Sequence, residues 1–314
     1  MNKPDILITR QIYVPALAAL EREYTVHKVW DAPDRQGFIE AIGPRVRAVV
    51  TTVVDGVSAR EIEAMPNVEV IACFGRNLAK TDLAAAKRRG IAVVNVPDSV
   101  SVPVAEIALG LIITVMRRMV EAERYVRAGK WPENPFPPGR GLTGKTCGVI
   151  GLGEIGREVA KRVEAFGMSV CYHGPRKKAD VAYPFFADLE EMARASDCLI
   201  VTCPATPATE KLVNGRILEA LGPAGYLVNV ARGSIVDETA LIAALARGRI
   251  AGAGLDVLRD EPQVPPELLA LDNVVIVPHI GSTITEIREE RLTNIVGNLR
   301  AHFAGKPLLT PVDL

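Results

Sequence analysis

The sequence predicts an α/β protein with two doubly wound domains, each built on a parallel sheet. Short apolar runs of strand length alternate with longer segments of helical period along most of the chain, which is typical of parallel strands joined by helices. The chain has 314 residues, more than one hydrophobic core usually organises, so two domains are expected.

The first alternating series predicts one small α/β domain. A helix is expected over residues 14–23, and strands are expected over residues 5–9, 24–29, 46–52, 68–74 and 92–94. A single long helix is then predicted over residues 102–129, ending at Gly129 in a C-cap position. The proline-rich residues 132–141 are interpreted as a loop that crosses between lobes.

The second alternating series predicts a domain inserted into the first. Its strands are expected over residues 146–150, 169–172, 198–202, 226–229, 252–256 and 274–277. A final helix over residues 283–303 and the tail 307–314 are expected to return to the first domain. We therefore predict a discontinuous domain of residues 1–98 and 285–314, with residues 99–284 inserted.

Composition excludes several classes of protein. Lys plus Arg and Asp plus Glu both total 37, so no net field attracts nucleic acid or an anionic membrane. No window is apolar enough to span a membrane and residues 1–7 do not have the pattern of a leader, so a cytoplasmic location is expected. The five cysteines are scattered without a Cys-x-x-Cys pair, which predicts buried free thiols and no metal site.

A glycine-rich turn follows the apolar strand at residues 147–150 and opens a helical pattern. The first glycine permits a tight turn, the second lets the backbone approach a pyrophosphate, and the third packs the helix on the strand. This strand-turn-helix context predicts a Rossmann-like dinucleotide site formed by Gly151, Leu152, Gly153, Glu154, Ile155 and Gly156.

The end of the next strand predicts which dinucleotide binds. An NAD site usually has an acidic residue about 20 positions after the turn, but residues 170–178 contain none. Gly174 removes charge and bulk, and Arg176 with Lys177 can donate hydrogen bonds to a 2′-phosphate. We expect NADP(H) to be preferred, with NAD(H) able to serve; the alternative is that residues 176–178 are only a solvated loop.

Three residues of complementary chemistry each follow an apolar run. Arg232 is a cation that can hold a carboxylate with two parallel hydrogen bonds. Glu261 can accept a hydrogen bond from one ring nitrogen of His279, which fixes the tautomer and favours the imidazolium. Together they can perform reduction of a 2-keto acid, with His279 as the proton donor.

These segments resemble the D-isomer-specific 2-hydroxyacid dehydrogenases. The resemblance rests on residues 151–156, 229–233, 252–262 and 278–282, in that order. Residues 172–178 and 297–311 are most similar to the glyoxylate, hydroxypyruvate and hydroxyphenylpyruvate reductases of this family. The resemblance implies two Rossmann-like domains, of which residues 99–284 bind NAD(P) and the flavodoxin-like residues 1–98 and 285–314 bind substrate.

The resemblance also implies roles for individual residues. Arg232 would anchor the substrate carboxylate, His279 would be the acid/base paired with Glu261, and Asp256 would orient the nicotinamide carboxamide. Products would have the R configuration, and a homodimer would form around the helix predicted from residue 102. Further residues expected to contact the cofactor are Val104, Cys203, Pro204, Thr209, Val230, Ala231 and Gly281.

One stretch departs from the family pattern. Relatives have a Gly-Val-Gly-x-Asp loop that holds the substrate carboxylate, whereas this chain has Gly75-Arg76-Asn77-Leu78-Ala79. Asn77 can adopt a left-handed backbone conformation, at more cost than glycine. Val54, Gly75, Arg76 and Asn77 are predicted to bind substrate, which is either larger or doubly acidic, or else meets a reshaped and slower pocket. Trp131 either packs locally or reaches the substrate pocket of a neighbouring subunit.

The predicted function is that of an oxidoreductase that reduces a small 2-keto acid of the glyoxylate or hydroxypyruvate type to its D-2-hydroxy acid with NADPH. A short-chain dehydrogenase is excluded, because the only Tyr-x-x-x-Lys match, Tyr24 to Lys28, precedes the glycine turn. Two alternatives stay open: an NAD(H)-sensing corepressor-like binding protein, and an NAD-dependent enzyme such as phosphoglycerate dehydrogenase.

Overall fold

A computed structural model describes residues 3–97 and 100–314, and the chain divides into two compact units. The first unit comprises Met1–Ser99 with Ile284–Leu314, and the second comprises Val100–Thr283. The boundary predicted between residues 98 and 99 lies outside the described residues. Each unit contains a parallel sheet with helices, so the predicted α/β class is confirmed.

The first segment of the chain forms a five-stranded parallel sheet in the order β2-β1-β3-β4-β5. The strands are Asp5–Ile8, Thr25–Lys28, Val46–Thr52, Val70–Phe74 and Ala92–Asn95, numbered β1 to β5. The helices are Val14–Glu23, Arg35–Ile42, Ala59–Ala64 and Leu83–Arg88, numbered α1 to α4. Strand β2 lies on one side of β1, and the later strands β3 to β5 lie on the other side. The switch point of the sheet is therefore between β1 and β3.

Buried apolar strands and capped helices explain these elements. Ile6, Leu7 and Ile8 of β1 are fully buried, as expected for a strand covered by helices on both faces. Helix α3 begins with a capping box in which the Ser58 hydroxyl accepts from the Glu61 N–H and the Glu61 carboxylate accepts from the Ser58 N–H.

The second unit forms a seven-stranded parallel sheet in the order β12-β11-β10-β9-β6-β7-β8. Its helices are α5 to α11, at Ser101–Met116, Met119–Arg127, Glu154–Ala165, Leu189–Arg194, Gly215–Leu221, Glu238–Ala246 and Pro266–Leu269. Its strands are β6 to β12, at Thr146–Ile150, Ser169–His173, Phe185–Phe186, Cys198–Val201, Tyr226–Asn229, Gly252–Leu255 and Val274–Ile276. The short β8 was not predicted. The switch point lies between β6 and β9.

The long helix predicted over residues 102–129 is wrong, because the structure has two helices there. Arg118, between α5 and α6, has a left-handed backbone with φ of 53°. The N–H of Arg140 donates to the Met116 carbonyl at the end of α5. The Arg140 N–H therefore takes the place of the N–H group that would bind the Met116 carbonyl if α5 continued. The proline-rich segment folds back within the second unit instead of crossing between lobes.

The last segment of the chain belongs to the first unit. Helix α12 spans Thr285–Phe303, and Pro311 then pairs with Val94 in an antiparallel bridge. The fully buried Asn298 holds the turn between them, because its amide accepts from the Leu309 and Thr310 N–H groups and donates to the Thr310 hydroxyl.

Candidate active site

The glycine turn of the second unit lies at the switch point, directly after β6. Gly151 has φ of +98°, and a Cβ there would lie 2.6 Å from the Cα of Cys203. The Thr202 hydroxyl donates to the Gly151 carbonyl over 2.7 Å. Gly151 therefore permits both the backbone turn and the close approach of the chain after β9.

The other two glycines have different environments. A Cβ at Gly156 would lie 2.3 Å from the Gly151 carbonyl oxygen, so only glycine fits between helix and turn. A Cβ at Gly153 would meet no heavy atom of the described residues within 4 Å. Gly153 is the N-cap of α7 and provides no capping side chain. The N-terminus of α7 has no side-chain cap, and the space beside Gly153 is open, which fits the pyrophosphate of a dinucleotide.

The segment after β7 is shaped by two hydrogen bonds. The buried Tyr172 hydroxyl accepts from the Lys178 N–H over 2.7 Å, and His173 pairs through Nδ1 with the Phe186 carbonyl. Arg176 and Lys177 are exposed, and neither is paired with a carboxylate of the described residues. The nearest acid along the chain, Asp180, is instead bound by Arg157 at 2.7 Å.

Three further features outline the predicted cofactor wall. Burial raises the pKa of the Cys203 thiol to about 11, so it stays neutral at physiological pH. The Thr209 hydroxyl donates to the Pro204 carbonyl and accepts from the Thr206 N–H, both over 2.8 Å, which fixes the loop after β9. The remaining predicted wall residues are largely apolar and buried, namely Val104, Leu152, Val230 and Ala231, with Ile155 half-buried.

Arg232 is presented by a turn that Asn229 holds. The buried Asn229 side chain accepts from the Ala231 N–H and donates to the Arg232 carbonyl, both over 3.0 Å. A Cβ at Gly233 would lie 2.0 Å from the Leu258 carbonyl carbon, so the turn packs directly on the segment after β11. The Arg232 side chain is exposed, with Nη1 donating to the Ala231 carbonyl.

Glu261 and His279 form the hydrogen-bonded pair that the sequence predicts. The Glu261 Oε2 lies 2.7 Å from the His279 Nδ1, and its Oε1 accepts from the Leu258 N–H over 2.9 Å. Because Nδ1 donates to the carboxylate, Nε2 is the ring nitrogen left to exchange a proton. The His279 side chain is 45% exposed, so a ligand can reach it.

Asp256 fixes the loop that carries His279. Its buried carboxylate accepts from the Ile280 N–H over 2.7 Å and the Gly281 N–H over 3.0 Å. His279 has φ of +52°, a conformation that needs such support. A Cβ at Gly281 would lie 2.7 Å from the Asp256 carboxylate, which explains the glycine. The carboxamide role of Asp256 stays a prediction.

The predicted substrate residues belong to the first unit, at the carboxyl ends of β3 and β4. Gly75 is buried with φ of +135°, and Val54 is exposed. Asn77 is not among the described residues with positive φ, so it does not adopt the left-handed conformation that was open to it. Its side chain instead accepts from the Ala79 N–H over 2.8 Å, which makes a local turn without glycine.

Sequence reasoning missed Thr202 and Asn229 as positioning residues. Each is a polar residue at the end of a buried strand, and that position was the available signal. No cluster of three potential metal ligands occurs among residues 3–97 and 100–314. The five cysteines are buried and free, and none of the described helices is long and apolar enough to cross a membrane.

Comparison with known proteins gives consistent matches. Residues 109–281 match the family model described as D-isomer specific 2-hydroxyacid dehydrogenase, NAD binding domain. The chain is 43% identical over 293 residues to glyoxylate/hydroxypyruvate reductase A of Arabidopsis thaliana, covering 93% of this chain and 94% of the relative. Among solved structures, a 2-hydroxyacid dehydrogenase from Ketogulonicigenium vulgare superposes with a TM-score of 0.91 at 40% identity, covering 100% and 99% of the two chains.

A second solved structure includes bound ligands. It is the NADPH-dependent glyoxylate/hydroxypyruvate reductase of Sinorhizobium meliloti in complex with NADP and malonate. It superposes with a TM-score of 0.82 at 38% identity and covers 99% of this chain and 97% of its own.

Proposed function

We propose, since the chain belongs to the D-isomer-specific 2-hydroxyacid dehydrogenases, that it reduces a small 2-keto acid of the glyoxylate or hydroxypyruvate type to the D-2-hydroxy acid with NADPH. The observation that carries this proposal is the 2.7 Å hydrogen bond between Glu261 and His279. It orients a histidine whose other nitrogen is free to donate a proton. The glycine turn at Gly151 supplies the dinucleotide cradle in the same unit.

Arg232, His279 and Glu261 have different roles in this reaction. NADPH, when bound, supplies the hydride that reduces the keto carbon. The Arg232 guanidinium binds the substrate carboxylate. The His279 Nε2–H donates a proton to the keto oxygen, so that a C–H and an O–H bond replace the carbonyl π bond. Glu261 stabilises the imidazolium before transfer and holds the ring in one tautomer.

The test measures NADPH oxidation with each member of a panel of 2-keto acids, for wild type and for His279→Ala. We expect turnover of glyoxylate or hydroxypyruvate and a fall in kcat of about 10²- to 10⁴-fold in the variant, the usual contribution of a general acid. His302→Ala is a matched control, because His302 also contacts a glutamate, Glu69, at 2.9 Å but lies in the first unit. Near-normal turnover by His279→Ala contradicts its role, and no turnover of any keto acid by wild type contradicts the enzyme.

The preference for NADPH is proposed from the segment after β7. Gly174 adds no carboxylate that would repel a 2′-phosphate, and the exposed Arg176 and Lys177 are available to donate to it. In the double variant Arg176→Gln, Lys177→Gln we expect the KM for NADPH to rise about tenfold or more, with the KM for NADH changed less than about twofold. Arg249→Gln, an exposed arginine of the same unit, is the control. Equal changes for both dinucleotides contradict the assignment.

A homodimer and a cytoplasmic location complete the proposal. Three large apolar side chains are exposed on α6 and the segment after it, Met119 at 52%, Val126 at 51% and Trp131 at 66%, as an interface would require. We expect Val126→Glu to convert a dimer to monomers in sedimentation, while Leu269→Glu, at a still more exposed position, does not. A monomeric wild type contradicts the dimer. The free buried thiols fit a reducing compartment.

A further inference from the structure

The loop after β7, residues 174–183, contains one acidic residue among its cations. Arg176, Lys177 and Lys178 are followed by Asp180, so three cations and one carboxylate give the loop a net charge of +2. A carboxylate at this edge of a dinucleotide site accepts from the ribose of NAD and repels the 2′-phosphate of NADP. The environment of Asp180 therefore affects which dinucleotide the loop favours.

The first half of the loop is attached to the glycine turn and to the end of β7. The Gly151 N–H donates to the His173 carbonyl over 2.9 Å, which joins the turn to the last residue of β7. The buried Tyr172 hydroxyl accepts from the Lys178 N–H over 2.7 Å, which closes residues 174–177 into a short arch. This arch includes the exposed cations of the loop and begins next to the glycine turn.

Helix α7 binds the second half of the loop at two points. The Arg157 Nη2 lies 2.7 Å from the Asp180 Oδ2, and the Tyr183 hydroxyl donates to the Glu164 carboxylate over 2.6 Å. Arg157 and Glu164 both belong to α7, which begins directly after the glycine turn. Asp180 is thereby held against the side of α7, and its charge is matched by a guanidinium.

The ion pair compensates the charge of Asp180, whereas burial does not remove it. The Asp180 side chain is 68% exposed, and the Arg157 guanidinium and the Asp180 backbone N–H lower the pKa of its carboxyl, so it is ionised at physiological pH. Asp180 follows Lys178 by two residues, so its Cα is within about 7 Å of the anchored end of the arch. A free charge at that distance acts on an anion held by the arch, since the Debye length is about 8 Å at physiological salt.

We propose that Arg157 is a positioning residue for cofactor selection: it neutralises Asp180 and holds it on α7, so that the arch presents only cations to the 2′-phosphate of NADPH. The inference rests on the proposed preference for NADPH and assigns part of it to a residue outside the arch. Without Arg157 the same loop has a free carboxylate, which repels the phosphate and can accept from an unphosphorylated ribose. The ion pair then sets the preference together with Arg176 and Lys177.

A comparison of single and double variants tests this role by direct binding. Adenosine 2′,5′-bisphosphate, which has the 2′-phosphate, and 5′-AMP, which lacks it, are titrated calorimetrically into the whole protein. We expect Arg157→Gln to raise the Kd for the bisphosphate about three- to tenfold and to change the Kd for 5′-AMP less than about twofold. Adding Asp180→Asn removes the carboxylate, so the double variant should bind the bisphosphate within about twofold of wild type.

Recovery in the double variant distinguishes positioning from direct contact. If Arg157 bound the phosphate itself, the double variant would stay as weak as Arg157→Gln. That result overturns the proposal, as does an unchanged Kd in Arg157→Gln. Exposed ion pairs contribute little to stability, so both variants should unfold within about 3 °C of wild type. Lys145→Gln, which breaks a 3.1 Å pair with Asp197 at the amino end of β6, is the charge-matched control and should leave both Kd values unchanged.

Kinetics extend the test to the whole cofactor. In NADPH oxidation with the best keto acid, Arg157→Gln should raise the KM for NADPH about three- to tenfold, with kcat and the KM for NADH changed less than about twofold. The binding experiment stands apart from the reductase function, because a protein that turns over no keto acid still yields both Kd values. A wild type that binds 5′-AMP as tightly as the bisphosphate contradicts the NADPH preference and this inference together. A wild-type preference for the bisphosphate that the double variant does not recover contradicts this inference alone.

Discussion

The carboxyl edges of the two sheets each contain a switch point, but the two edges have different chemistry. In the second unit the switch point between β6 and β9 consists of backbone. It has glycines where a Cβ would collide with a neighbouring atom or would fill open space. In the first unit the switch point between β1 and β3 is lined by hydroxyl, amide and guanidinium side chains. The difference shows that one edge of a parallel sheet is shaped by removing side chains and the other by keeping polar ones.

The largest effect is expected at Gly151, where the backbone of the second unit tolerates no side chain. Gly151→Ala would combine a φ of +98° with a Cβ 2.6 Å from Cys203, which we expect to cost about 3 kcal/mol of unfolding free energy and to abolish NADPH binding. Thermal unfolding and cofactor titration measure both. Gly141→Ala is the control, since its Cβ meets no described atom within 4 Å. Equal destabilisation by the two variants would contradict the constraint on the turn at Gly151.

Thr51 offers the corresponding test in the first unit. Thr51→Val keeps the side-chain shape but leaves the Gly56 carbonyl and the Thr9 hydroxyl without this partner. We expect a loss of about 2 kcal/mol in denaturant unfolding, because unsatisfied buried polar groups are costly. Thr25→Val, at an exposed position of β2, should change stability by less than about 0.5 kcal/mol. If Thr51→Val is as stable as wild type, side chains do not organise this edge.

Asn229 allows the role of side chains to be tested inside the second unit. Asn229→Ala removes both hydrogen bonds that shape the Arg232 turn, so we expect kcat/KM for the keto acid to fall about tenfold. Asn229→Asp keeps the acceptor for the Ala231 N–H and should lose less. Steady-state kinetics at fixed NADPH distinguish the two. An aspartate variant as impaired as the alanine variant, or an alanine variant without loss, would remove Asn229 as a positioning residue.

The smallest effect is expected from Glu61, which binds Arg35 and so supports the Thr9 loop. Burial alone would raise the pKa of the Glu61 carboxyl, but hydrogen bonds from the Ser58 N–H, Arg35 and the Ser58 hydroxyl outweigh it and lower the pKa. The folded protein then binds fewer protons than the unfolded chain. The stabilisation is therefore complete above the unfolded pKa, about 4.3, and is lost as the pH falls through the lower folded pKa.

Glu61→Gln should lower stability at pH 7 by about 1 kcal/mol and reduce the loss of stability between pH 5 and pH 3. Unfolding midpoints measured at each pH test this. Glu63→Gln, at an exposed position of the same helix, is the control. An unchanged acid response in Glu61→Gln would show that this carboxylate does not support the edge.

Part of this architecture could be predicted from local patterns. All eleven predicted strands end within one residue of the observed end, because buried parallel strands are continuous apolar runs. The break at Arg118 could not be predicted, since it depends on Arg140 reaching the Met116 carbonyl from a distant position in the chain. The two-residue β8 is too short to leave a periodic signal.

The sequence by itself determined the α/β class and the glycine turn, and it predicted Arg232, Glu261 and His279 as the chemical residues, because each depends on residue type at a local position. Tertiary structure alone decided how these residues are held: Asn229 behind Arg232, and the Asp256 carboxylate on the His279 loop. It alone also brought the residues after β1 and at the ends of β3 and β4 together with α12 in the first unit. Hydrogen bonds and contacts of this kind join residues far apart in the chain, and no local pattern records them.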